Sequence, residues 1–215
     1  MARGPLIVFE GAEGAGKTTQ LRRLASWLES GGRVVHALRE PGGTPLGDEI
    51  RRLLLDPASD IAPRAEALLF MASRAQLVER LVRPALEAGQ VVLLDRFFLS
   101  TYAYQGAGRG LPEAQVRQAN AVATSGLVPD VTLLLTLPVR EGLARAERRG
   151  ARDRMEQNAD EFHHRVSEAF TTFASAAWQA QHPECGPIVI VDASGSEDAV
   201  FARVRAAVED RLRIS

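Results

Sequence analysis

Leu6-Ile7-Val8-Phe9-Glu10-Gly11-Ala12-Glu13-Gly14-Ala15-Gly16-Lys17-Thr18 is the stretch on which the fold turns. Residues 6–10 form a short apolar run closed by an acid and read as a buried strand. Residues 11–16 are a glycine-rich turn. From residue 17 to about 30, Leu21, Leu24, Ala25 and Leu28 fall on one helical face, and Gly31-Gly32 stops the helix. Gly11, Gly16, Lys17 and Thr18 meet every fixed position of G-x-x-x-x-G-K-[ST]. The strand before and the amphipathic helix after set this apart from a glycine-rich turn that merely caps a helix. The glycines let the backbone of Gly11, Ala12, Glu13, Gly14, Ala15 and Gly16 curl so that N–H groups face a phosphate, and the helix adds its positive end. Lys17 is then placed to bridge β- and γ-phosphates, and Thr18 to offer a hydroxyl to Mg²⁺. Glu13 puts a carboxylate into a loop built for anions. That is costly unless it serves a second ligand, such as a sugar hydroxyl or a metal-bound water.

Working outward, the same alternation continues to the end of the chain. Strands are expected at 33–38, 90–95, 130–137 and 188–191. Helices are expected at 46–55, 63–88, from 112 onward, at 139–149, 158–180 and 196–212. Val91 to Leu94 are apolar without alternation, the pattern of a strand covered on both faces. Strands separated by helices imply parallel pairing with right-handed crossovers. The expectation is one α/β domain, a five-stranded parallel sheet flanked by helices on both faces, with ligands at the carboxyl ends of the strands. There is no internal repeat and no long linker.

Bulk properties exclude several classes. With 215 residues, 46% of them hydrophobic and 25% charged, the chain can build a core without disulfides or structural metal. Cys185 is the only cysteine, so it forms no intrachain disulfide and reads as a structural or surface residue. A net charge of −1 gives no basic field for nucleic acid. The apolar run at 6–9, ended by Glu10, is too short for a signal-peptide core, and no stretch approaches the ~20 residues of a membrane span. A cytoplasmic protein is the expectation. Of 26 basic residues only Lys17 is a lysine, which also rules out the N-K-x-D guanine reader of GTPases.

A second strand ends in Asp95-Arg96. Asp95 sits where a carboxylate would hold Mg²⁺ or its water, the alternative being an ordinary strand-end turn residue. Arg96 offers a planar fork to a phosphate.

Several further stretches carry a family pattern: Phe9-Glu10-Gly11 with Thr18-Thr19-Gln20; Arg39-Glu40-Pro41-Gly42-Gly43-Thr44; Leu69-Phe70 with Arg74; and Asp95-Arg96-Phe97 through Ser100, Thr101, Ala103-Tyr104-Gln105-Gly106 and Gly108-Arg109-Gly110. In order and spacing the chain resembles the bacterial thymidylate kinases over nearly its whole length. It departs at Phe97, where Tyr or His is common, and at Ala107, where Gly is common. The resemblance implies ATP-dependent phosphorylation of dTMP, with Mg²⁺ and a homodimer. It implies that Phe70 stacks on thymine, Arg74 reaches a thymine carbonyl, and Arg39 and Arg96 grip the dTMP phosphate. Glu13 would contact the sugar 3′-hydroxyl, Ser100 and Thr101 would line the base pocket, and Tyr104 would sit under the sugar and disfavour a 2′-hydroxyl. Gln105 would support the pocket. The alternatives are core packing for Phe70, a solvated surface position for Arg74 and a helix-surface amide for Gln105.

Arg145, Arg148, Arg149, Gly150, Arg152, Asp153 and Arg154 form an arginine-rich stretch. One reading is a solvated helix end. The other is a lid, about 142–156, that closes over ATP. The phosphate loop carries no arginine, so the resemblance is to the type whose lid supplies it, with Arg149 and Arg154 matching R-G-x-x-D-R. Catalysis then rests on Lys17, Arg96, Arg149, Arg154 and Glu13. Two rivals remain: a kinase for another nucleoside monophosphate, and a non-enzymatic nucleotide-binding switch.

Overall fold

The computed structural model describes residues 3–147, 154–155, 158 and 160–212. Its centre is a five-stranded sheet of order β2-β3-β1-β4-β5, every pair parallel. The strands are β1 (Leu6–Glu10), β2 (Val35–Arg39), β3 (Val91–Asp95), β4 (Val131–Thr136) and β5 (Ile188–Asp192). The helices are α1 (Lys17–Ser30), α2 (Pro45–Leu55), α3 (Pro63–Leu77), α4 (Arg83–Glu87), α5 (Phe98–Thr101), α6 (Glu113–Thr124), α7 (Val139–Glu147), α8 (Asp160–Phe173), α9 (Ala176–Gln181) and α10 (Glu197–Leu212).

β1, which leads into the phosphate loop, is central and buried throughout. Successive side chains of a strand point to opposite faces, so the inner strands feed two cores. Ile7, Phe9, Leu93 and Leu135 pack with Leu24 and Leu28 of α1 and with Val204 and Val208 of α10. Leu6, Val8, Leu94 and Leu134 face the other way, against Leu77, Phe98 and the aromatic residues of α8 and α9. Each such side chain withdrawn from water stabilises the fold by about 1.5–3 kcal/mol. The edge strands β2 and β5 are only partly buried, and in β2 the apolar run is broken by His36. Register aligns Arg39 and Phe9 with Asp95, so β1, β2 and β3 end at one level and deliver their last residues to one edge.

Two of the expected helices are interrupted. Residues 63–88 do not run as one α-helix: a π-helical stretch, Val78–Val82, separates α3 from α4, and Arg83 N–H reaches back to Val78 O. Pro84 has no N–H to give and its ring crowds the carbonyl four residues back, so the widened turn precedes it. Residues 158–180 split into α8 and α9, because the Ser175 hydroxyl accepts from Trp178 N–H at 3.3 Å and starts a new helix. The segment following Arg96, given no element from sequence, is α5 continued by a π-helix over Tyr102–Gly108. Cys185 is buried and packs in the core. Among the described residues no helix is long and apolar enough to cross a membrane.

Candidate active site

The phosphate loop is held from three sides. Gly11 has φ 140°, and a Cβ there would lie 2.4 Å from Leu135 O of β4. Gly14 has φ 72°, and its Cβ would lie 2.0 Å from Gly142 O in the first turn of α7. The loop therefore packs backbone to backbone against both its neighbours, which only glycine permits. Lys17 is almost fully buried and its Nζ donates to Gly11 O at 2.8 Å and Ala12 O at 2.9 Å, spanning the loop. Burial, with Arg96 adding its charge, pushes the Lys17 ammonium down to about 8, against the pull of Glu13, Asp95 and Glu10. Thr18 Oγ1 donates to Asp95 Oδ2 at 2.5 Å, so the hydroxyl and the carboxylate expected to serve a cation are side by side.

Across the cleft stands Arg96, a non-glycine residue at φ 73°. Its Nη2 donates to Glu13 Oε1 at 2.8 Å and to Tyr104 OH at 3.3 Å, and its Nη1 to Ser100 Oγ at 3.0 Å. Tyr104 OH also donates to Glu13 Oε1 at 2.7 Å, and the guanidinium lies over the Tyr104 ring at 5.0 Å. Burial, with Glu13 beside it, holds the Tyr104 phenol well above its ordinary range, so it stays a donor at neutral pH. Glu13 thus sits between the phosphate loop and Arg96, and its carboxylate has the partners a buried anion needs.

Phe70 and Arg74 both line the cleft, as their spacing on α3 predicts. Phe70 is partly exposed and faces the open space. Arg74 is no surface residue: it is 2% exposed and all five of its N–H groups are engaged. Nε donates to Glu40 Oε2 at 2.8 Å, Nη1 to Thr101 Oγ1 at 2.9 Å and to Asn120 Oδ1, and Nη2 to Phe97 O at 2.8 Å and to Glu40. Gln105 is buried, not a surface amide, and donates to Glu66 Oε1 at 3.1 Å. Arg39 is exposed at the rim with no ion pair among the described residues. One cleft of about 1030 Å³ joins all these groups to Lys17 and continues to Arg145 and Glu197.

The arginine-rich stretch divides. Arg149 lies outside the described residues. Arg145 lines the cleft, with Nη2 on Glu141 at 2.5 Å. Arg154 instead donates to Leu54 O at 2.7 Å and to Glu66 Oε2 at 2.5 Å, beside Arg109 on the same carboxylate at 3.0 Å. The hydrogen bonds from Arg109, Gln105 and Arg154 outweigh the effect of burial and keep Glu66 below the ordinary carboxylate range.

Five residues of this network received no role from sequence: Glu10, Glu40, Glu66, Arg109 and Asn120. Glu10 and Glu40 carry a usable signal, because each is an acid closing an apolar strand beside a glycine-rich turn. Glu66 and Asn120 lie inside amphipathic helices, and nothing in their immediate sequence distinguishes a buried acid or amide from a solvated one.

A phosphate loop on the central strand of a parallel sheet, faced across one cleft by a partly buried arginine, defines a P-loop nucleotide-binding protein with a second anion subsite. A family model described as thymidylate kinase matches residues 9–204. The chain belongs to the thymidylate kinase family. It is 49% identical over 211 residues to a thymidylate kinase of Deinococcus radiodurans, covering 98% of this chain and 99% of that one. It is 44% identical over 220 residues to one of Chlorobium chlorochromatii, covering 97% and 96%. Its fold matches the crystal structure of thymidylate kinase from Ehrlichia chaffeensis with a TM-score of 0.74 at 28% identity, over 96% of this chain and 99% of that one.

Proposed function

We propose that this chain transfers the γ-phosphoryl group of ATP to the 5′-phosphate of dTMP, giving dTDP and ADP, a step in dTTP synthesis. The observation that carries this reading is the pair of cationic subsites facing each other: Lys17 in the phosphate loop and Arg96 beyond Glu13. An acceptor phosphate on Arg96 and Arg39 would meet the γ-phosphorus in line. The bond from that phosphorus to the β,γ-bridging oxygen breaks as the bond to the acceptor oxygen forms. The acceptor is already ionised at neutral pH, so no base has to take a proton, and catalysis rests on positioning and charge.

In this reading Gly11 to Thr18 hold the ATP phosphates. Phe70 stacks on the base, and Thr101 and Gln105 shape its pocket. Arg74 offers a shared N–H to a thymine carbonyl. Glu13 meets the 3′-hydroxyl, and Tyr104, fixed to Glu13, crowds the place of a 2′-hydroxyl. Thr18 and Asp95 would hold Mg²⁺; two hard oxygen donors suit an ion that keeps waters and substrate phosphates in its shell. When bound, the ion neutralises charge on the β- and γ-phosphates. In this reading the stretch 142–156 acts as a lid, with Arg149 the arginine that serves the transferring group, while Arg154 is held on Glu66. We assign a homodimer on the family relationship and place the reaction in the cytoplasm.

The test is ADP release with Mg²⁺-ATP against dTMP, dUMP, dCMP, dGMP, AMP and no acceptor. Strong turnover with dTMP and weaker with dUMP is expected. Preference for another base would keep the kinase and remove the roles of Phe70 and Arg74. ATP binding without acceptor-dependent turnover would leave a nucleotide-binding switch. A pH profile adds a second check. Lys17 must be charged to meet phosphate, and in the free protein it loses its proton near pH 8. The ratio kcat/KM for ATP should therefore fall above about pH 8, while kcat, which reports the ATP complex, should hold to higher pH because the triphosphate raises the lysine again. Identical profiles for the two quantities would count against Lys17 as the group that titrates.

A further inference from the structure

Glu10 is fully buried at the end of the central strand, yet it points into neither core. Its Oε1 accepts from Phe97 N–H at 2.7 Å and Ser100 N–H at 3.1 Å, and its Oε2 accepts from the Ser100 hydroxyl at 2.6 Å. The same hydroxyl accepts from Arg96 Nη1 at 3.0 Å. A relay therefore runs from the Glu10 carboxylate through Ser100 to the guanidinium. The backbone on both sides of Arg96 is fixed by the same strand, since Arg96 N–H donates to Phe9 O at 2.9 Å and Phe97 N–H donates to Glu10. Arg96 needs such restraint, because at φ 73° its backbone is in the left-handed region that L side chains rarely adopt.

We propose that Glu10 and Ser100 form a positioning pair that aims Arg96 at the acceptor phosphate. Ser100, expected from the resemblance to line the base pocket, acts here on the phosphate instead. Its oxygen donates to Glu10 and accepts from Arg96, so its single proton is already committed. On the other flank Glu13 and Tyr104 take both Nη2 protons of Arg96. The Nε–H and the second Nη1–H are left without a protein acceptor among the described residues, and these are the donors a phosphate would use. The inference rests on Arg96 being the acceptor-phosphate residue, as under the proposed function.

A purely structural role for Glu10 and Ser100, capping the short helix α5, would weaken every ligand alike. A positioning role weakens only ligands that carry the phosphate. The test is therefore calorimetric binding of dTMP and of thymidine, which lacks it, to the wild type, Ser100→Ala and Glu10→Gln. The wild type should prefer dTMP. In Ser100→Ala that preference should shrink by about ten- to a hundredfold, the worth of one misdirected charge-assisted contact, while thymidine binding moves by less than about threefold. Adding Ser100→Ala to Arg96→Ala should cost nothing more, because the pair acts through the arginine. Equal losses for dTMP and thymidine, an unchanged preference, or a further loss on top of Arg96→Ala would each overturn the proposal. Ser100→Ala removes one oxygen and carries the test alone if Glu10→Gln does not fold. Should the wild type prefer a different monophosphate, the dTMP reading fails while the same ratio, taken with that nucleotide and its nucleoside, still decides the positioning role.

Discussion

Replacing Lys17 by methionine is expected to lower kcat by at least about 10²–10³ while leaving thermal stability unchanged or slightly raised. The first half follows from charge. A preorganised donor aimed at the transferring phosphoryl acts in a site shielded from water, where it is worth most. Lys17 is the only lysine in the chain, and it reaches the loop from within, with Nζ bridging Gly11 O and Ala12 O. Methionine keeps the unbranched stem and removes the charge. Arginine should not rescue, because a planar fork does not fit where a compact ammonium spans two carbonyls. The second half follows from burial. An ammonium whose proton is held only to about pH 8 is disfavoured by its surroundings, so neutralising it relieves the folded state. ADP release and a melting curve on one preparation measure both. A kcat within about threefold of wild type would remove Lys17 from the transition state.

That lysine was legible from the first stretch of sequence, and so was most of the frame. The apolar runs of β1 and β3 lack alternation because both faces are covered, and the phosphate-loop motif names the strand that must be central. What stayed hidden has physical causes. The π-turns at Val78–Val82 and Tyr102–Gly108 leave hydrophobic periodicity almost intact and shift only the hydrogen-bond ladder. The break before α9 hangs on one serine hydroxyl. In the site, motif residues could be named but not their connections. Ser100, Thr101 and Tyr104 lie within five residues of one helical segment. Yet Ser100 answers to Glu10, Thr101 to Arg74 and Tyr104 to Glu13, partners 90, 27 and 91 positions away. Such long-range pairing exists only once the sheet has brought three strand ends to one edge.

The charge layout of the cleft follows from the same convergence. Lys17 and Arg96 are two cations brought to one cleft by the fold itself. Glu13, Asp95 and Glu10 stand near them and offset their mutual repulsion. Glu13 in the phosphate loop, which looks misplaced from sequence, is thereby explained without the nucleotide. It is the anion that balances the half-buried Arg96 guanidinium until the acceptor takes part of that role.

The largest stability effect is expected at Arg74, away from the transferring group. Arg74→Met should destabilise the fold by about 3–5 kcal/mol, the range for breaking a buried ion pair from one side. That is a large share of the ~5–15 kcal/mol a domain holds, and at about 2–4 °C per kcal/mol it should lower the melting midpoint by roughly 6–20 °C. The reason is what the substitution leaves behind. Glu40 is buried, burial already raises it above the ordinary carboxylate range, and Arg74 is the cation that opposes this. One of its oxygens, Oε1, has no hydrogen-bond partner among the described residues, so the other depends on Arg74 alone. Asn120 and Thr101 lose their donor as well. Without Arg74, Glu40 should fold protonated. A carboxyl whose folded pKa is raised binds more protons in the native than in the unfolded state, so stability falls as pH rises above the unfolded value of about 4.5. The deficit of Arg74→Met should therefore shrink as pH is lowered toward that value. Glu40→Gln, which removes the charge, should recover part of it at neutral pH, so that the double variant loses less than the sum of the singles by about 0.5–3 kcal/mol. Strict additivity, or a deficit independent of pH, would mean that the ion pair is not what Arg74 contributes, and the loss would then have to come from its bonds to Thr101, Asn120 and Phe97.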